Sequence, residues 1–60
     1  MTALDRGAAR SLIDDAARDL HAADIELGSP GADFPHVEKL LVDAMSLTLH
    51  ALGLLRGMTP

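Results

Sequence analysis

Residues 34–55, FPHVEKLLVDAMSLTLHALGLL, decide the fold of this 60-residue chain. Drawn as a helix in heptads, the stretch places Phe34, Leu41, Thr48 and Leu55 in one row, and Val37, Ala44, Ala51 and Met58 in the row three residues on. These two rows are expected to form the seam with a neighbouring helix. A third row, Leu40, Leu47 and Leu54, runs on one side; Met45 and Leu52 run on the other, and Val42 and Leu49 widen the surface. Only His36, Lys39, Asp43, Ser46, His50 and Gly53 form a polar stripe. An amphipathic surface helix is apolar at about three positions in seven, whereas this one approaches five, which implies burial from several sides. The helix reads as the core of an oligomer.

Length points the same way. A chain this short buries only about 60% of the surface its unfolded form exposes, so support from outside is expected. There is no cysteine, hence no disulfide and no thiolate zinc site, and association is the remaining route. Aliphatic packing must supply the cohesion, because Phe34 is the single aromatic residue while 48% of the chain is hydrophobic. That apolar fraction is not the composition of a disordered chain, and a folded domain is expected. A formal net charge of −4 argues against duplex nucleic acid and anionic lipid, which need a surplus of Lys and Arg. The run from Leu40 to Leu55 is short for a bilayer and contains Asp43 and His50, so no membrane span is expected. Asp5 and Arg6 interrupt any signal-like apolar start, and a cytoplasmic location is the expectation.

Upstream, a first helix over residues 3–27 starts at Thr2 or Asp5 as cap. Ile13, Leu20 and Leu27 recur every seven residues, with Ala9, Ala16 and Ala23 as the partner row. Alanine there lets a second backbone approach closely, and Ala44 and Ala51 occupy the matching row of the second helix. Arg6, Arg10, Asp14, Arg18 and Glu26 are expected to point outward, with Arg10, Asp14 and Arg18 four apart in a surface ladder. Gly28-Ser29-Pro30-Gly31 stops the helix, Gly28 being the expected left-handed cap. Asp33 then caps a second helix over residues 34–56, with Pro35 in its first turn. So short a loop makes the helices antiparallel neighbours. The expected fold is all-α: one helical-hairpin domain spanning residues 1–60, assembling into a homo-oligomeric helical bundle.

Chemistry finds few candidates. His36, Asp43 and His50 are seven residues apart, about 10 Å along a helix, too far for two of them to hold one ion. Asp33 and His36 straddle a helix start. Asp43, Ser46 and His50 mimic an acid, nucleophile and base, but side chains on one helix face run parallel and do not converge. Asp14, Asp15 and Asp19 read as a solvated acidic face beside Arg10 and Arg18. No catalytic residue, metal or cofactor is expected, and the chain reads as a non-enzyme.

The stretch Leu41-Val42-Asp43-Ala44-Met45-Ser46-Leu47-Thr48-Leu49-His50-Ala51-Leu52, with Ser29-Pro30 ahead of it, resembles the second helix of the phage anti-CBASS sponge family, helical-hairpin proteins that sequester cyclic-oligonucleotide immune signals. The resemblance covers the second half of the chain and rests on Leu41, Asp43, Ala44, Ala51 and Leu52. Leu47 stands where the family carries an aromatic, and His50 where it carries a base. The resemblance implies an oligomer holding a cyclic di- or trinucleotide between chains, without turnover. Arg10, Arg18, Lys39 and Arg56 are the candidate phosphate ligands and Phe34 the candidate base-stacking ring. Leu40, Leu41, Met45, Leu47, Leu52 and Leu54 are the candidate oligomer interface. The alternative is a structural or adaptor hairpin that joins copies of itself or grips a partner helix, with no small ligand.

Overall fold

The computed structural model describes residues 3–58, in which two helices, α1 (Ala3–Leu27) and α2 (Phe34–Met58), lie antiparallel as a hairpin. Thr2, Thr59 and Pro60 lie outside the described residues. Asp5 falls within the first turn of α1, where a carboxylate favours the positive end of the helix dipole. The second helix runs through Gly53 and Gly57 to Met58, two residues beyond the end expected from those glycines.

The loop closes differently from its sequence pattern. Gly31, not Gly28, takes the left-handed backbone, with φ of 72°. Gly28 continues the helical geometry by donating its N–H to Asp24 O at 3.1 Å. Ser29 ends the helix twice over: its N–H donates to Glu26 O at 3.1 Å, and its hydroxyl donates to Ile25 O at 2.9 Å. Two of the carbonyls that a helix end leaves free are thus met by a serine, which removes the need for a left-handed residue at position 28. The chain reverses later, at Gly31.

Asp33 caps α2 as expected, its carboxylate accepting the His36 N–H at 3.3 Å and its carbonyl the Val37 N–H at 3.0 Å. The N–H of Asp33 itself donates to Glu26 Oε1 at 3.0 Å. In a capping box an acidic residue three positions into the new helix would accept that proton, but His36 holds the position here. Glu26 supplies the carboxylate from the preceding helix instead. It is therefore half-buried and bridges the loop, contrary to its expected outward position.

The core is narrower than the heptad pattern implies. Among the described residues its buried members are Ala16, Ala23, Val37, Ala44 and Ala51, and no large side chain is fully buried. Only the alanine and Val37 rows form the seam. Both rows of larger residues stand at its edge: Ile13, Leu20 and Leu27 on α1, and Phe34, Leu41 and Leu55 on α2, are all exposed. The cause is steric. Alanine rows on both helices let the backbones approach until the next rows have no space between them and turn outward.

Gly31→Ala should lower the melting midpoint by about 4–16 °C, because a left-handed alanine costs roughly 1–2 kcal/mol and each kcal/mol is worth about 4–8 °C in a small domain. Gly28→Ala, whose added methyl would meet only Asp24 O at 3.5 Å and Ile25 O at 3.8 Å, should leave the midpoint nearly unchanged. Thermal unfolding followed by circular dichroism reads both, and the reverse ranking would contradict this loop geometry.

Candidate functional site

Two sides of the hairpin differ sharply, and their difference follows from the antiparallel pairing. Ala9 and Ala51 line the same cleft; seven residues nearer the loop on each helix come Ala16 and Ala44, then Ala23 and Val37. Antiparallel helices seen end-on rotate in opposite senses, so equivalent rows of the two helices face the same side of the seam.

One side carries Leu12, Asp19 and Glu26 from α1 against Leu40, Leu47 and Leu54 from α2, all half-buried. These three leucines are covered in part by their own chain. The other side carries Ile13, Leu20 and Leu27 against Phe34, Leu41, Thr48 and Leu55, and continues over α2 through Met45, Leu52, Val42 and Leu49. Its large side chains are between 37% and 67% exposed, Phe34 most of all. Among the described residues eleven large apolar side chains are exposed, and all but Ile25 belong to this face. Monomeric proteins rarely leave so continuous an apolar surface open, so this face is the candidate functional surface.

Within it lies an apolar, half-open cleft of about 230 Å³, lined by Ala9, Ile13, Thr48, Ala51, Leu52 and Leu55. The shortness of Ala9 and Ala51 makes the floor, and Thr48 keeps one wall low. Thr48 is the single polar member of its row, and its hydroxyl donates to Ala44 O at 2.8 Å. That bond within the helix turns the hydroxyl inward and presents the methyl group to the cleft.

The candidate phosphate ligands do not converge within one chain. Arg18 and Lys39 sit on rows pointing away from the seam, each exposed, and Phe34 lies beside the loop. Arg56 is 22 residues along α2 from Phe34, a separation of about 33 Å at helical rise. Arg10 stands one turn before Ile13 and Arg56 one turn beyond Leu52, so these two flank the cleft at the open end of the hairpin. Arg18 Nη1 lies 3.9 Å from Asp15 Oδ1, an i,i+3 pair where the spacing had suggested Asp14. Both partners are largely exposed, so the pair is worth roughly 1 kcal/mol at most.

Of the candidate interface residues, Leu41, Met45 and Leu52 lie on the open face, whereas Leu40, Leu47 and Leu54 lie on the half-covered side. His36, Asp43, Ser46 and His50 form the expected exposed polar stripe. Among the described residues no three His, Asp or Glu side chains gather closely enough to hold a metal ion. The segment Phe34–Gly57 is long and apolar enough to cross a membrane by length and composition, and only 11% of its apolar 18-residue window is buried. The shorter run judged from sequence omitted the turns at either end of it. Comparison with protein-family models, curated proteins and solved structures returned no match.

Proposed function

We propose that the chain is a non-enzymatic, self-associating helical hairpin, a structural or adaptor element whose open apolar face is covered by further copies of itself. One observation carries this reading: among the described residues the hairpin buries four alanines and a valine, while the large apolar side chains of its open face stay exposed. Each buried methylene contributes about 0.8 kcal/mol, so the side chains best able to stabilise the fold are those the isolated hairpin leaves wet. Lipid is a poorer cover than protein. Asp14, Asp15, Arg18 and Asp19 of α1 lie alongside the middle of α2, and placing them at the depth of a bilayer would cost several kcal/mol each.

A second reading keeps the ligand-sequestering function of the phage sponge resemblance, and the cleft is what favours it. Its apolar walls are of a size to admit a nucleobase, and Arg10 and Arg56 flank it as partners for phosphate. In a symmetric assembly such cations recur, so an acidic protein can still build a local anion site.

Sedimentation at micromolar concentration should give an integral multiple of the 6.3 kDa chain mass, with a melting midpoint that rises with concentration. Leu41→Asp, which sets a charge in the middle of the open face, should lower both mass and midpoint. A cooperatively folded monomer would refute self-association. For the second reading, a cyclic di- or trinucleotide at a hundred times its dissociation constant should stabilise the protein by about 2.7 kcal/mol. Arg10→Ala should remove the shift. No shift at millimolar nucleotide excludes that reading.

A further inference from the structure

The geometry points to a specific pairing: two hairpins stacked open face to open face, loops at opposite ends, about a two-fold axis that crosses the helices beside Ala17 and Met45. This rests on the self-association reading and adds the partner's orientation and register. In a four-helix bundle each helix has two neighbours at right angles to one another. The Ala9, Ala16, Ala23 row of α1 and the Val37, Ala44, Ala51 row of α2 already face the neighbour within the hairpin. The rows of Ile13 and Leu41 are about 60° around each helix from those, towards the bundle centre. One step further, at about 100°, come Arg10, Ala17 and Asp24 on α1 and Glu38, Met45 and Leu52 on α2. These two rows face the other hairpin.

Their composition is self-complementary in only one orientation. Arg10 and Asp24 stand seven residues either side of Ala17, so an antiparallel α1 of the second copy sets Arg10 against Asp24 twice. Glu38 and Leu52 stand seven residues either side of Met45, and Arg56 follows Leu52 by one turn, so the same axis brings Glu38 towards Arg56 twice. Ala17 and Met45 lie at nearly the same height, because Ala16 and Ala44 face each other across the seam. One axis therefore serves both helices. With loops at the same end, α1 would instead face α2 of the copy, setting Asp24 beside Glu38 and Arg10 towards Arg56, like charges at both ends.

Shape agrees with charge. The axis passes midway between Leu41 and Thr48, so Leu41 of the second copy comes over Thr48, the low wall of the cleft, and Leu20 of the second copy over Ile13. Leu41 thus meets the low wall left by Thr48, while Leu20 and Ile13 make an aliphatic contact. Principal extents of 47 × 14 × 11 Å give the hairpin a broad side that, widened by its side chains, approaches the roughly 800 Å² per partner buried in a stable dimer.

Cross-linking and charge exchange test this on the full chain, which has no native cysteine. Ala17→Cys alone and Met45→Cys alone should each oxidise to a disulfide-linked dimer. Asp24→Arg should weaken association about tenfold, and Arg10→Asp combined with Asp24→Arg should restore it, with helicity unchanged throughout. If only the double variant Ala17→Cys/Met45→Cys cross-links between chains, or if Asp24→Arg strengthens association, the loops lie at the same end and the pairing is wrong while self-association stands. A chain that sediments as a monomer and forms neither disulfide overturns both.

Discussion

The contact on which everything else depends is the meeting of two alanine-lined helix faces. A small-residue seam brings two backbones close and gains dispersion and backbone proximity, but it removes little apolar surface from water per turn. It also has a geometric side effect. Once the helices are that near, the rows bearing Ile13, Leu20, Leu41 and Leu55 cannot fit between them and are displaced to the edge. The closeness of the hairpin and the exposure of its large side chains are therefore one fact seen from two directions, and neither can be altered without the other.

That displacement is also why the sequence reveals the hairpin and misplaces its core. Heptad rows identify the apolar arc of a helix but do not say which row within the arc faces which neighbour. The two rows expected to share the seam divide, one to the partner helix and one to the open side, because Ala16, Ala23, Ala44 and Ala51 decide the approach distance. Leu40, Leu47 and Leu54 move the opposite way, becoming half-covered by α1. The span of α1, the start of α2, the antiparallel pairing and the Asp33 cap were legible because each depends on neighbours in the chain, whereas the end of α2 runs two residues past its glycine-based limit. Glu26 was not: its bond to the Asp33 N–H spans the loop, and nothing in the local pattern distinguishes it from a solvated acid. Gly28 and Gly31 show the same limit, since either can reverse a chain and the choice fell to the Ser29 hydroxyl.

Of the candidate interface, the sequence picked out Leu41, Met45 and Leu52, which the structure leaves exposed on the open face of α2. It did not locate the cleft, which needs Ala9 and Ile13 from one helix and Thr48, Ala51, Leu52 and Leu55 from the other. The signal was present as a Thr in an otherwise apolar row. A hydroxyl there is tolerated because Ala44 O, one turn back, accepts its proton, so the row stays apolar towards the outside although one member is polar by composition.

An apolar face this broad ties stability to whatever covers it. Were the large aliphatic residues inside and the alanines outside, the hairpin would stabilise itself and its outer surface would have little to offer another molecule. With the order inverted, the large side chains at the edge of the seam leave water only when another molecule covers them, so in the proposed assembly folding and association free energies are coupled. The polar stripe of His36, Lys39, Asp43, Ser46 and His50 then has a plain purpose. It keeps one side of α2 wet, and in the proposed assembly it limits the faces on which copies can add. In the proposed pair a single partner covers the part of the open face that borders the seam, and the stripe, together with the acidic outer surface of α1, limits further growth. A closed two-fold contact of that kind is what separates a defined oligomer from open-ended aggregation of the same apolar surface.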